Sequence, residues 1–215
     1  MKKTIFILII CLGLSFFSFG QSRYGITAGA GISRMDNYKF YFVRENKHYT
    51  VNAVDYPYEN LFSWNFGLYY YKSFNSKPFE VGGELLLNAL GTFIPDDPKI
   101  IGDNKERFIY ISIPIKMRYN LHSCWYIQAG ITNSLIISKP SEENNSIEGI
   151  KPYDLGGNFG FGVWLFPKIN LEIQGYHSLI RINNTTWFEE QHDADGSLYN
   201  GAITVSLKYE LGKWK

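Results

Sequence analysis

The sequence alternates apolar and polar residues over most of its length, and the segment Phe108–Leu121 (FIYISIPIKMRYNL) does so without interruption. Its odd-numbered residues, from Ile109 to Leu121, are apolar or aromatic, and the residues between them include Tyr110, Ser112, Pro114, Lys116 and Arg118. Successive side chains of a strand point to opposite faces, so the pattern predicts a strand with one apolar and one polar face. Such a strand fits a soluble sandwich, with the apolar row in the core, or a membrane barrel, with that row in lipid.

The same alternation predicts about eight strands. Their apolar rows begin at Tyr24, Phe62, Phe79, Ile109, Trp125, Tyr153, Ile169 and Ile203. The connections alternate in length: residues 35–60, 91–106, 139–152 and 181–200 are long, whereas 73–78, 120–123 and 166–168 are short. Outer-membrane barrels have this arrangement, with short periplasmic turns and longer outer loops. We therefore expect residues 35–60 and 181–200 outside the cell and residues 73–77 in the periplasm.

The first 20 residues have the layout of a secretory signal peptide. Two lysines precede an apolar run from Ile5 to Phe19, and Gly20 precedes Gln21. A membrane anchor is the alternative, but the run is shorter than the ~20 residues that a spanning helix usually needs. We predict a signal peptide at residues 1–20 and one barrel domain at residues 21–215. Cys124 is then the only cysteine of the mature chain, which excludes an internal disulfide.

Composition favours the membrane barrel over the sandwich. The net charge is only +1 and the charges are interspersed, so nothing indicates nucleic-acid binding. Aromatic residues make up 17% of the chain, and several lie at predicted strand ends, where they suit interfacial girdles: Trp64, Tyr70, Tyr119, Trp125 and Tyr209. The sequence predicts an all-β fold, an eight-stranded antiparallel up-and-down transmembrane β-barrel in the cell outer membrane after a cleaved N-terminal signal peptide.

The apolar rows carry essentially no charge, and the charged residues fall on the row that would face the lumen. The predicted lumen charges are Glu80, Glu84, Lys116, Arg118, Glu172, Lys208 and Glu210. An eight-stranded barrel is just wide enough for side chains to fill, and buried charges need partners. Neighbouring strands predict two sets, one of the first four residues and one of Glu172 with Lys208. We therefore expect a plugged polar core rather than an open channel.

The sequence predicts no catalytic, cofactor or metal site. His177 and Ser178 resemble the catalytic pair of outer-membrane lipid A deacylases, but here they are adjacent and would point to opposite faces of a strand. The fragment Asp193–Gly196 (DADG) begins like a calcium loop, yet the acidic residue expected at the twelfth position is Thr204. Neither motif indicates an enzyme or a metal-binding protein.

Five segments resemble blocks of the small outer-membrane β-barrel proteins of Bacteroidetes, the PorT-like group. They are IPIKMRYNL, WYIQAGITNSL, YDLGGNFGFGVWLF, INLEIQGYHSLI and ITVSLKYELG, and the resemblance extends from Tyr24 to Leu211. It implies an outer-membrane barrel, and one branch of the group is associated with protein secretion and gliding. We expect a structural or interaction role, accessory to protein export or surface assembly. A narrow channel or small-solute transporter is the alternative.

Aromatic residues are dense in two of the long connections. They are Tyr38, Phe40, Tyr41, Phe42, Tyr49, Tyr56, Tyr58, Trp187 and Phe188. Exposed aromatic residues at this density are typical of a binding surface, although they could equally extend the strands and pack on each other. The expected partners are outer-membrane lipid and, through these loops, other envelope proteins, without nucleic acid.

Overall fold

The computed structural model describes residues 21–38, 40–44, 47–51, 59–73, 78–94, 104–139, 150–183, 186–189, 192–195 and 197–214. Within these residues the strands are β1 (Ser22–Tyr38), β2 (Phe40–Arg44), β3 (Lys47–Val51), β4 (Glu59–Ser73), β5 (Phe79–Ile94), β6 (Asn104–Asn120), β7 (Trp125–Ser138), β8 (Tyr153–Phe166), β9 (Ile169–Ser178), β10 (Thr186–Glu189), β11 (His192–Asp195) and β12 (Ser197–Trp214). The predicted signal peptide lies outside the described residues. In the described part of the chain, no helix has the length and apolar character that crossing a membrane requires.

Eight of the described strands form one closed antiparallel barrel in the order β1-β12-β9-β8-β7-β6-β5-β4. Each barrel strand pairs with the barrel strands before and after it in the chain, and the first strand pairs with the last. Closure leaves no sheet edge with unpaired backbone groups, which a strand structure needs in order to cross a bilayer. The predicted up-and-down barrel is confirmed.

The two faces of the strands follow the period-two pattern of the sequence. On β6, Ile113 is 49% exposed on the outer surface, whereas the neighbouring Ser112 is 0% exposed inside the barrel. Ile111, Ile115 and Met117 are also exposed on the outer side. The apolar row therefore faces outward, as lipid contact requires, and the polar row faces the lumen.

Two of the long connections contain a two-stranded hairpin. β2 pairs with β3, and β10 pairs with β11, outside the barrel sheet. Sequence patterning predicted loops in both places, because five-residue and four-residue strands are too short to show a clear alternation. The side chains of the aromatic residues predicted there, from Tyr38 to Tyr58 and at Trp187 and Phe188, lie outside the described residues.

The long-loop end of the lumen is filled by apolar side chains, which we call the outer apolar cap. Its members are Met35, Leu90, Phe108, Tyr110, Ile150, Ile182, Leu198 and Ala202. Backbone hydrogen bonds hold the connecting segments over the barrel: the Lys151 N–H donates to the Ile182 carbonyl at 2.7 Å, and the Ile182 N–H donates to the Leu198 carbonyl at 2.9 Å. The predicted plugged polar core therefore ends in an apolar layer on this side, to which the connecting segments contribute Ile150 and Ile182.

Candidate functional site

Five charged side chains meet in the middle of the lumen and form what we call the central ion cluster. Its members are Glu84, Lys116, Arg118, Glu172 and Lys208, and each is at most 5% exposed. They come from β5, β6, β9 and β12, whose polar rows all point inward. The cluster therefore joins strands from opposite sides of the barrel.

Three cations share two carboxylates in this cluster. The Glu84 carboxylate accepts hydrogen bonds from Lys116 Nζ at 2.9 Å and Lys208 Nζ at 2.5 Å. The Glu172 carboxylate lies 3.4 Å from Lys116 Nζ, 3.1 Å from an Arg118 Nη atom and 2.7 Å from Lys208 Nζ. Lys116 also donates to Gln174. Because every charge has at least one partner of opposite sign, the cluster satisfies the requirement for burying ions.

Two tyrosines hold the Arg118 guanidinium between their rings. Its central carbon lies 3.4 Å from the centre of the Tyr71 ring and 4.4 Å from that of Tyr126, within the range of cation–π attraction. The Tyr71 hydroxyl donates to Glu84 at 2.6 Å, and the Tyr126 hydroxyl donates to Glu172 at 2.9 Å. The rings thus position the cation and bind the carboxylates at the same time.

Glycines on the neighbouring strands make room for these two rings. A Cβ atom on Gly162 would overlap the Tyr126 ring, and one on Gly82 would overlap both the Tyr71 ring and the Tyr70 carbonyl. In a lumen of eight strands, a ring can lie across the barrel only where the residue beside it has no side chain. The glycines of the polar rows therefore determine where the aromatic rings of the site lie.

The structure groups the predicted lumen charges differently from the sequence analysis. Three residues of the first predicted set join both residues of the second in one cluster, the central ion cluster. Glu80, predicted in the first set, and Glu210 lie outside it, near the short-turn end. Glu80 forms an ion pair with Arg23 at 3.1 Å, and Glu210 forms one with Lys213 at 3.7 Å. The physical reason is the narrow lumen, in which a long side chain reaches a strand on the far side as easily as an adjacent one.

A second polar group, centred on Asp154, lies between the central ion cluster and the outer apolar cap. Its carboxylate accepts hydrogen bonds from the Tyr176 hydroxyl at 2.8 Å, the Ser178 hydroxyl at 2.8 Å and the Asn200 amide at 2.9 Å. Asn200 also donates to the Tyr110 hydroxyl at 3.0 Å. Sequence reasoning did not count Asp154 among the lumen charges, although its place in the polar row of β8 is the signal that could have identified it.

Neither of the two motifs considered for catalysis and metal binding forms a single cluster in the lumen. The His-Ser pair lies on opposite faces of β9, and the calcium-loop fragment lies in β11, outside the barrel sheet. Ser178 is buried inside the barrel, whereas His177 lies on its outer side. His192–Asp195 forms strand β11, and Gly196 lies outside the described residues. In the part of the chain that the structure describes, no group of three or more His, Cys, Asp or Glu side chains could hold a metal ion. The lumen side chains bind each other across the barrel.

Comparison with known proteins identifies the fold. No protein-family model and no curated protein sequence matches the chain. The solved structure of neisserial surface protein A (NspA) is similar over 87% of this chain and 97% of that chain, with a TM-score of 0.51 and 10% identity. OprG from Pseudomonas aeruginosa is similar over 91% and 96% of the two chains, with a TM-score of 0.47 and 11% identity. Ail of Yersinia pestis, in complex with the heparin analogue sucrose octasulfate, is similar over 90% and 99%, with a TM-score of 0.46 and 15% identity.

At these identities the likeness to NspA shows the fold alone, and the remaining evidence comes from this chain. The barrel is closed, each of its eight strands presents exposed apolar side chains on the outer surface, and the central ion cluster lies inside. The predicted outer-membrane location is confirmed. The chain is a small eight-stranded outer-membrane β-barrel protein.

Proposed function

We propose that the protein is a non-conducting barrel that acts as a structural or interaction component of the outer membrane, accessory to protein export or surface assembly. The pathway in this proposal is the one that the resemblance to the PorT-like group implies. The filled lumen is the observation that supports the absence of ion conduction through the barrel. The central ion cluster crosses the barrel at its middle, and the outer apolar cap fills the end under the long loops.

The two obstructions oppose ion flow for different reasons. A permeating ion at the central cluster would have to displace side chains that already pair with each other at 2.5–3.4 Å. At the outer apolar cap it would have to pass a dehydrated apolar region, where an unpaired charge is costly. Both obstructions lie in series along one lumen, which supports the plugged barrel over the narrow channel or small-solute transporter.

The placement of His177 and Ser178 supports a non-enzymatic role. The Ser178 hydroxyl donates to Asp154 inside the barrel, whereas the exposed His177 ring lies on the outer surface, 4.0 Å from Asp36. A nucleophile and its base must lie within hydrogen-bonding reach of each other and of one substrate. The barrel wall separates these two side chains.

Planar-bilayer recording tests the non-conducting barrel. Cys124 is exposed beside a short turn, and a fluorescent maleimide attached there reports how many barrels enter the membrane. We expect no steady unitary current from membranes that contain labelled protein. Steady and reproducible unitary currents from the wild-type protein would overturn the proposal in favour of the channel or transporter.

A second experiment tests the interaction role. The hairpin of β2 and β3 extends from the barrel strand β1 and is a separate two-stranded sheet, so a short Gly-Ser link can replace Phe40–Val51 without removing a barrel strand. We expect this variant to lose specific crosslinks to other envelope proteins in whole cells while keeping the heat-modifiable folded band. A matched replacement of Thr186–Asp195 tests the other hairpin. Identical crosslinks in the wild type and both variants would contradict an interaction role for these loops.

A further inference from the structure

The outer surface of the barrel has a groove near the long-loop end, across β1, β12, β9 and β8. It has a volume of about 750 Å³, within the range of roughly 300–1,000 Å³ that is common for ligand sites. Its apolar lining consists mainly of Ile32, Phe159, Gly175, Leu179, Gly201 and Ile203. This side of the strands faces the bilayer, so the groove opens toward lipid rather than toward the lumen.

Strand register explains why the surface is concave here. One row across the four strands reads Ile32, Ile203, Gly175 and Phe159, and the next row toward the loops reads Arg34, Gly201, His177 and Gly157. A Cβ atom on Gly175 or Gly157 would meet nothing closer than 3.8 Å, so these positions have open space in front of them. Three outward glycines on adjacent strands thus remove the side chains that would otherwise fill the surface.

Polar side chains close the loop end of the groove. The Arg34 Nε–H donates to Asp36 Oδ1 at 2.7 Å, and Asp36 Oδ2 lies 4.0 Å from His177 Nε2. A Cβ atom on Gly201 would lie 3.3 Å from Asp36 Oδ2, so the missing side chain leaves room for this carboxylate between arginine and histidine. The groove therefore has an apolar floor and a charged end.

The charged end lies where lipid headgroups begin. The outward row of β1 is aromatic or apolar from Tyr24 to Ile32 and becomes charged at Arg34. That apolar stretch, residues 24–32, matches the roughly 9–11 residues with which a tilted strand crosses the bilayer. The Arg34 side chain is 52% exposed, and its bond to Asp36 uses the Nε–H of a guanidinium that has five N–H donors.

We propose that this groove binds the lipid A part of lipopolysaccharide in the outer leaflet. An acyl chain lies on the row of Ile32, Ile203 and Gly175, and a phosphate group of the lipid accepts hydrogen bonds from the terminal nitrogens of Arg34. Guanidinium groups bind phosphate through paired hydrogen bonds, and the bond to Asp36 orients this guanidinium beforehand. The position of the groove at the long-loop end of the barrel indicates which lipid it binds. This end of an outer-membrane barrel lies in the outer leaflet, which contains phosphorylated, acylated sugars.

Native mass spectrometry of the purified full-length barrel tests the proposal, with purified lipid A and phosphatidylethanolamine added in equal amounts. The Arg34→Gln variant removes the phosphate contact, and Gly175→Leu fills the groove from a position with open space. Ala28→Leu is the matched control, because it enlarges an outward side chain of β1 that does not line the groove. The heat-modifiable band of each variant confirms that it is folded.

We expect the wild type and Ala28→Leu to retain lipid A in preference to phosphatidylethanolamine. Each of the two groove variants should retain about tenfold less lipid A, as expected for the loss of one hydrogen bond to a charged group or of one chain-binding surface. Preferential retention of phosphatidylethanolamine would overturn the proposal. Equal retention of lipid A by the wild type and a folded groove variant would also overturn it.

Discussion

Replacing Glu172 with glutamine removes one of the two carboxylates that three buried cations share. Glutamine keeps the shape of the side chain, so the substitution changes charge with little change in packing. The central ion cluster would then contain three cations and one carboxylate, and Arg118 would lose its only carboxylate contact within the cluster, at 3.1 Å. Lys116 and Lys208 would both depend on Glu84.

Removing one partner of a buried ion pair costs about 3–5 kcal/mol, because the remaining charge stays in a poorly solvated site. We expect Glu172→Gln to lower the free energy of unfolding by this amount. Lys208→Met should cost less, about 1–3 kcal/mol, because it leaves two cations facing two carboxylates. Adding Lys208→Met to Glu172→Gln should restore part of the loss, because the excess of cations falls again.

Urea unfolding in lipid vesicles, followed by tryptophan fluorescence, measures these free energies. Glu210→Gln is the matched control, because this carboxylate is also buried but its partner at 3.7 Å, Lys213, is half exposed, so the substitution leaves no buried cation without a partner. Water solvates the exposed lysine instead, and we expect a loss of only about 0–1 kcal/mol. Charge balance in the cluster would not determine stability if Glu172→Gln destabilised the barrel no more than Glu210→Gln does, or less than Lys208→Met does.

Three further predictions concern the lipid face, the orientation and the packing. Ile113→Arg should destabilise the barrel by roughly 2–4 kcal/mol because it places a charge in lipid, whereas Ile113→Phe should fold normally; equal loss of the heat-modifiable band would contradict the face assignment. A membrane-impermeant maleimide should label intact cells at Lys47→Cys in a Cys124→Ser background but not at native Cys124, and the reverse result would invert the orientation. Gly162→Val should cost about 1–3 kcal/mol by displacing the tyrosine ring beside it, whereas Gly157→Ala, in open space, should not change urea stability; equal effects would refute the packing argument.

The barrel could be predicted from the sequence because lipid imposes a strict rule on one face of each strand. Outward positions in the bilayer are predominantly apolar, so a period-two pattern such as that of Phe108–Leu121 identifies both the strand and its orientation. The alternation of long and short connections then gives the order of the strands. Strand position, strand orientation and strand order all depend on residues that are close together in the sequence, so the alternation of apolar and polar residues is enough to predict them.

Contacts across the lumen could not be predicted in the same way. Glu84 and Lys208 are 124 residues apart in sequence and lie on strands that are not neighbours, so their pairing depends on the width of the closed barrel. Likewise, Ile150 and Ile182 lie in irregular connections, where no period indicates that a side chain turns inward. The sequence identified most of the charged residues that enter the lumen, but the partner of each is determined by the closed shape.

The central ion cluster is completed only by the last barrel strand of the chain. Glu84 enters with β5, whereas Lys208 enters with β12, the strand that closes the barrel against β1. In a partly formed sheet, the carboxylates of β5 and β9 would lack this lysine and would meet hydrocarbon with part of their charge unpaired, at a cost of several kcal/mol. Stepwise insertion of single hairpins is therefore disfavoured. Insertion into the bilayer is coupled to the pairing of β12 with β1, so insertion and barrel closure become one cooperative kinetic step.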